Sequence, residues 1–394
     1  MINNLRKEFE KVYFSNISTT KGLENLAGNI GVSKNSLRRF LGKIKNDSQL
    51  RLSTLNLISA RLGYRDFQDF CDSFEKAEVS LDFELLDIYY GLVKGEGTRL
   101  NDRIFQKANF YFAEKILSNP KNLQEFIKRF AENEEALEYV LAWHPFYEKA
   151  AQKEYQDALL KLVKITKDAH IKVFAYSFVF YGRFMSENLT LEDASDLMKK
   201  IEQQVVKMRK ENDVYMTFPE ARYTIAKYFY MFLQEQKSAG EKISGGYILK
   251  NLPEKGGILF ADQLIFRTYV SSGLNALQRH EQADAYFDKI PTEKELKKFA
   301  EENPHLQANT YLYKITRAIT LFYLGKSSDS RAIFDSLPID ISDGKNFPFD
   351  TKIYFELQYY RLGLQLYPKR EDFKQRLELL IRKTQFTFLN KFLC

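Results

Sequence analysis

The sequence predicts an all-α protein: a small helix-turn-helix unit over residues 1–76, followed by an α-solenoid of helical hairpins over 77–394. Three observations lead there. Apolar residues recur at three- and four-residue spacing along most of the chain, the period of a helix with one buried face. Alternating apolar runs joined by paired turns, the mark of a half-buried sheet, are absent from residue 75 onward. Residues 276–291 and 323–338 repeat one another at an offset of 47, as expected of stacked supersecondary units.

The first unit is most legible at residues 23–42, LENLAGNIGVSKNSLRRFLG. Leu26 and Ile30 are four apart on one helix, Leu37 and Phe40 three apart on the next, and Val32 lies in the turn between them. Those five side chains define one shared core. A steeply crossing helix pair needs a small residue at its closest approach, which Ala27 supplies. The tight turn needs a residue tolerant of positive φ, which Gly31 supplies.

Removing the core positions from the second helix leaves Ser33, Lys34, Asn35, Ser36, Arg38 and Arg39. All of them hydrogen-bond readily to phosphates or base edges. Ser33 suits an N-cap, and the amides behind it suit a phosphate oxygen. Asn and Arg are the usual readers of adenine and guanine edges, so Asn35 and Arg38 are base-contact candidates, with Lys34 and Arg39 on phosphates and Lys43 and Lys45 beyond them. Charge points the same way. Residues 1–65 hold 12 Lys and Arg against 4 acidic residues, a balance of +8, whereas the whole chain carries +7. The positive excess therefore belongs to the first unit, the electrostatic footprint of a nucleic-acid binder.

With these residues in place, the segment resembles the DNA-binding domain of the lambda repressor and Cro type, the Xre-like family. The family order of small residue, Gly, hydrophobic residue and Ser-rich helix start is met by Ala27, Gly31, Val32 and Ser33. Ser53-Thr54-Leu55, Ile58 and the Leu62-Gly63-Tyr64 turn resemble the family's fourth helix and its leucine-glycine ending. The likeness covers roughly the first 75 residues. It departs at the aromatic tail RDFQDFCDSF, residues 65–74, where the family has a shorter apolar helix. What the resemblance implies is binding to double-stranded DNA.

Beyond this unit the chain has ordinary globular composition, 44% hydrophobic and 28% charged. The most apolar windows, VFAYSFVFYG at 173–182 and YFYMFL at 228–233, are shorter than the roughly 18 residues of a membrane span and read as buried helices. The start, MINNLRKEFEKVYF, lacks the apolar stretch of a secretory signal. Cys71 and Cys394 cannot make a disulfide framework, so a cytoplasmic protein without a membrane partner is expected. Loops are expected at 94–98, 238–242, 245–246, 253–257 and 342–348. The Gly-Glu-Gly at 95–97 follows no strand and is not a dinucleotide fingerprint.

The repeat copies ALQRHEQADAYFDKIP and YLGKSSDSRAIFDSLP share Leu, a basic residue, Ala, Phe-Asp and a closing Pro, and upstream Ser271 matches Ala318 and Leu274 matches Leu321. Each copy reads as a helix, a tight turn near Gln278 or Gly325, and a second helix ending before Pro291 or Pro338. This is similar to a tetratricopeptide hairpin, with Ala283, Phe287 and Pro291 near that family's small, aromatic and proline positions. The usual period is about 34, so these are lengthened copies, and Ser330 replaces the small Ala in the second. Segments 187–201 and 222–233 read as more divergent copies, for a stack of about five to seven hairpins. Most of the 33 Phe and 24 Tyr serve the stacked core. The resemblance puts Ser272, Asn275, Ile319 and Phe322 on a concave groove, where Asn275 would clamp the backbone of a bound peptide; Arg222, Tyr223 and Lys227 are further ligand candidates.

Catalytic signatures are missing. The four histidines, 144, 170, 280 and 305, have no partner at metal-ligand spacing, and no GxSxG, P-loop or kinase signature occurs. No enzyme, cofactor or metal is expected. In overall plan the chain resembles the peptide-pheromone receptors of the Rgg and PlcR type, an Xre-like head on a tetratricopeptide-like body. That resemblance implies a homodimeric transcriptional regulator with a peptide or protein ligand. The alternative is an interaction scaffold whose helix-turn-helix does not bind DNA.

Overall fold

The computed structural model describes residues 1–44, 50–64, 66–71, 81–91, 103–212, 216–237, 260–287, 291–303, 306–337 and 347–393, apart from the side chains of Lys11 and Ser15. Every regular element among them is helical. The chain divides into two compact units, Met1–Asp82 and Phe83–Cys394. The expected boundary at 76 lies among residues 72–80, outside the described set.

The first unit contains α1 (Ile2–Ile17), α2 (Thr20–Ile30), α3 (Lys34–Phe40) and α4 (Leu52–Arg61). One core joins them: Leu5, Phe9, Tyr13 and Ile17 of α1, Leu23, Leu26, Ala27 and Ile30 of α2, Leu37 and Phe40 of α3, and Leu55 and Ile58 of α4. Phe70 and Cys71 complete that core, so the aromatic tail packs inward, with the Phe70 ring edge-on to Tyr64 at 5.0 Å. Leu37 and Phe40 are fully buried, each worth about 2–3 kcal/mol of apolar transfer.

The second unit begins with α5 (Phe83–Gly91), α6 (Arg103–Leu117), α7 (Pro120–Arg129) and α8 (Glu134–Leu137), which runs into a π-helical turn at Glu138–Ala142. A 3-10 turn, Tyr147–Lys149, leads into α9 (Lys153–Ile165). Then come α10 (Ala169–Met185), α11 (Leu191–Glu211), α12 (Thr217–Lys237), α13 (Phe260–Ala276), α14 (His280–Ala285), α15 (Glu293–Glu302), α16 (Gln307–Tyr323), α17 (Ser327–Asp335), α18 (Lys352–Leu366) and α19 (Glu371–Thr384). A second 3-10 turn, Thr387–Phe392, follows. Helices α10, α12, α13, α16 and α18 pack each on the next, while α11, α14, α17 and α19 fold back against their neighbours as hairpin partners.

The offset of 47 is literal in the helices. α13 and α16 begin and end 47 residues apart, and α14 and α17 start 47 apart. Both hairpins turn through a left-handed residue, Gln278 at φ 61° and Gly325 at φ 81°. In both, the next amide reaches back to close the helix: Arg279 N–H to Leu274 O and Lys326 N–H to Leu321 O, each 2.9 Å. Gly325 adopts this conformation freely, whereas Gln278 does so at a cost of about 1 kcal/mol. The extra length relative to a 34-residue period is largely α15, a ten-residue helix inserted after α14 and started by a Thr292–Glu295 capping box. Across each hairpin one hydroxyl bridges to a carbonyl, and the two copies exchange its origin: Ser271 donates to Ala283 O in the first, Ser330 to Ala318 O in the second.

Residues far apart in sequence meet within the second unit. His144 Nδ1 lies 3.1 Å from Asp350 Oδ2, the Tyr147 ring stacks on Tyr354 at 4.3 Å, and Lys383 pairs with Glu148.

Candidate nucleic-acid interface and ligand-facing residues

The helix pair α2–α3 is set by local chemistry. Thr19 caps α2 by accepting from Gly22 N–H, and Gly31, at φ 80°, ends it with its own N–H and that of Val32 turned back to the Gly28 and Ala27 carbonyls. Ser33 caps α3, its Oγ accepting from Ser36 N–H at 3.0 Å. Ser36 Oγ also sits 2.8 Å from Ser33 Oγ. One of the amides expected to suit a phosphate is thus engaged within the cap itself.

With Leu37 and Phe40 inside, the remaining α3 side chains face outward. Asn35 is exposed, and Lys34, Arg38 and Arg39 are half-buried along the same helix. Lys34 pairs with Glu24 at 3.4 Å, a surface contact worth about 0–1 kcal/mol. Lys43 is exposed, and its ammonium donates to the Ile17 carbonyl at 2.5 Å. It therefore ties the end of α1 to the segment after α3, a structural role that residue spacing did not signal. Lys45 lies outside the described residues.

Sequence reasoning also missed α1 as the scaffold of this face. Arg6 Nε donates to Phe40 O at 2.5 Å, satisfying a carbonyl at the end of α3 that no helical amide reaches, and Tyr13 OH donates to Arg61 O at the end of α4. Arg6 is half-buried. Its position seven residues before the aromatic Tyr13 was the available signal, since both lie on the face that carries Phe9.

In the second unit, the residues expected to line a peptide groove are placed differently. Ser272, Asn275 and Ile319 are buried. Asn275 Nδ2 donates to Thr316 O and Thr320 Oγ1 at 3.1 and 3.0 Å, and its Oδ1 lies 3.0 Å from His280 Nδ1. Its amide clamps α13 to α16 rather than a ligand backbone. Ser272 is held by Gln358 and by Tyr354 OH, so α18 occupies the face expected to be open. Phe322 is half-buried, edge-on to Tyr323. Tyr223 is buried beneath two cations, Arg209 at 5.8 Å and the half-buried Lys227 at 5.7 Å from its ring. Arg209 is in turn fixed by two 2.7 Å bonds to Glu220.

Arg222 is the most unusual of the candidates. It is 2% exposed and enclosed by the rings of Tyr147, Phe178, Tyr181 and Tyr269, 4.6 to 5.9 Å from its guanidinium carbon. Burial lowers its pKa, against the nearby tyrosines. Its two terminal nitrogens make no hydrogen bond of ordinary geometry.

Of the histidines, His144 is a buried link between Asn109 and Asp350, and His280 stacks on Tyr323 with ring centroids 4.1 Å apart. Burial, with Arg361 nearby, holds His280 down at about 4. His305 lies outside the described residues. No described helix is long and apolar enough to cross a membrane. No protein-family model, curated protein or solved structure matches the chain.

Proposed function

We propose that the protein is a DNA-binding transcriptional regulator with no catalytic activity, working in the cytoplasm as a homodimer. Its first unit is an Xre-like helix-turn-helix head that reads double-stranded DNA. Its second is a tetratricopeptide-like α-solenoid that binds a peptide or protein partner and joins the two copies. The observation that carries this reading is the outer face of α3. Lys34, Asn35, Arg38 and Arg39 stand on one short helix whose other face is wholly committed to the core, within a unit that holds the positive excess of the chain. A single small module buries too little surface for tight specific binding, and two heads spanning half-sites about one helical turn apart remove that limit.

The test is fluorescence anisotropy on the DNA upstream of the protein's own gene, across salt, for the wild type and a Lys34/Arg38/Arg39→Ala variant. About six phosphate contacts per dimer give a log–log salt slope near −5, at roughly −0.9 each. Salt-sensitive binding lost in the triple variant is the expected result. An absence of binding at low salt, with the fold intact by circular dichroism, overturns the reading in favour of an interaction scaffold.

A further inference from the structure

Residues 386–393 of the second unit are seated in the manner of a docked peptide. After α19 the chain turns at Gln385, a non-glycine residue at φ 61°, into the 3-10 turn Thr387–Phe392. At three residues per turn, Phe386, Leu389 and Phe392 fall on one edge. All three are buried, while Thr387, Asn390 and Lys391 between them are exposed. Three helices build the seat. Phe386 meets Tyr181 of α10 edge-on at 5.7 Å, and Phe388 packs on Phe184 of α10 at 4.7 Å and on Phe232 of α12 at 5.9 Å. The Arg361 guanidinium of α18 lies 3.5 Å from the centre of the Phe392 ring. Arg361 also donates to the Asn275 carbonyl at 3.0 Å, so the seat adjoins the residue expected to clamp a ligand backbone.

The backbone bonds of the segment are local: Phe386 N–H to Thr384 Oγ1, Thr387 N–H to Gln385 O, Leu389 N–H to Phe386 O and Leu393 N–H to Asn390 O. Among the described residues, no hydrogen bond or ion pair joins 385–393 to another element. A 3-10 run of six residues exceeds the three or four such helices usually reach, so the seat imposes its shape. Burial of three apolar side chains favours docking, and the ordering of eight residues opposes it on a similar scale. Left-handed Gln385 adds a strain that a released chain relaxes. Side-chain packing alone therefore holds the segment, as it holds an amphipathic peptide laid into a groove.

We propose that the seat formed by Tyr181, Phe184, Phe232 and Arg361 is the surface on which the partner docks, and that residues 386–393 fill it as an internal ligand. The partner is a peptide segment with an aromatic residue followed by large apolar residues three and six positions on. It displaces the segment by presenting the same edge to the same rings. Because the internal ligand competes from within the chain, the partner's apparent affinity is reduced by the fraction of molecules whose seat is empty. The inference rests on the partner-binding half of the proposed function and is independent of its DNA-binding half.

The experiment pairs hydrogen exchange of the full-length wild type with fluorescence anisotropy of a labelled peptide, Gln-Phe-Thr-Phe-Leu-Asn-Lys-Phe-Leu, the sequence of residues 385–393. Amides of 387–393 exchanging about tenfold or more faster than those of α18 are the expected result. Protection equal to that of α18 makes the segment part of the cooperative core and overturns the proposal without recourse to any variant. Leu389→Asp empties the seat, so the peptide binds that variant about tenfold or more tighter than the wild type. Adding Phe232→Ala, in the seat itself, takes that binding away. A Leu389→Asp protein that is folded by circular dichroism yet leaves the peptide unbound at about 1 mM overturns the proposal. So does equal binding of a peptide carrying Asp at the Leu389 position. A wild-type dimer that becomes a monomer in Leu389→Asp assigns the seat to a second copy's segment and likewise overturns it. None of these outcomes depends on DNA binding, so failure here and failure of the regulator reading are told apart.

Discussion

The two repeat copies exchange a hydroxyl and a methyl. In the first, Ser271 on α13 donates to the carbonyl of Ala283 on α14 at 3.2 Å; in the second, Ser330 on α17 donates to the carbonyl of Ala318 on α16 at 2.8 Å. Ser271 corresponds to Ala318 and Ala283 to Ser330, so each hairpin keeps one hydroxyl between its helices. All four residues are fully buried. Ser271→Ala removes a buried donor, while Ala283 O keeps its bond from Tyr286 N–H, so the cost is about 1 kcal/mol without an orphaned acceptor. Ala283→Ser alone places a second hydroxyl against the first and costs a further 1 kcal/mol or so by overpacking. The double variant recreates the second copy's arrangement in the first, and returns to within about 0.5 kcal/mol of the wild type. The cycle therefore yields a coupling of about 1.5 kcal/mol. Urea unfolding followed by the fluorescence of Trp143, the sole tryptophan and a residue of the second unit, measures it. A double variant as unstable as the sum of the singles refutes the equivalence of the two hairpins.

Arg38→Ala should relax sequence preference and cost about 1–3 kcal/mol of DNA affinity, whereas Lys34→Ala should weaken all sequences alike; competition anisotropy with altered sites separates the two. Lys43→Ala should lower the melting temperature of the protein even without DNA, because it also frees the Ile17 carbonyl. His280 has a folded pKa of about 4 against 6.5 unfolded, so its contribution is present above pH 6.5 and lost as pH falls toward 4. Discounted for its partial exposure, this amounts to about 1–2 kcal/mol, and urea midpoints between pH 7 and 4.5 should fall less steeply in His280→Asn than in the wild type. Glu138 is raised to about 7 by burial, with the Trp143 indole opposing the shift, so its ionisation penalises the fold as pH rises from 4.5 through 7. Glu138→Gln should stabilise the second unit by about 1–2 kcal/mol at pH 8 and by little at pH 4.5; equal midpoints at pH 8 would count against that burial.

Much of the local structure was legible because it is written over four residues or fewer. The core positions Leu26, Ile30, Val32, Leu37 and Phe40 follow helical spacing and meet in one cluster. Gly31 ends α2 at positive φ, and Ser33 caps α3. The same is true of the repeat. Gln278 and Gly325 mark left-handed turns at equivalent places because helix ends depend on short-range backbone bonds.

The placement of the ligand candidates was not legible, and the reason is the sequence distance over which their partners lie. Asn275 is claimed by threonines 41 and 45 residues away, and Ser272 by a glutamine 86 away. The resemblance to open repeat proteins put these residues on a free groove, but α18 and the Thr387–Phe392 turn fill that face. Arg6 was counted only as charge and Lys43 only as a phosphate contact, and their bonds to Phe40 and Ile17 depend on how α1 docks.

By itself, the sequence determined the helical class, the period and turns of the repeat, the paired core of α2 and α3 and the concentration of positive charge in the first unit. These need only side-chain periodicity, backbone propensity and a count of charges. Tertiary structure alone decided that Arg222 and Arg361 are buried, with no carboxylate paired to either among the described residues. Burial of a charge is a property of what surrounds it on every side, and those surroundings come from helices as far as 86 residues apart.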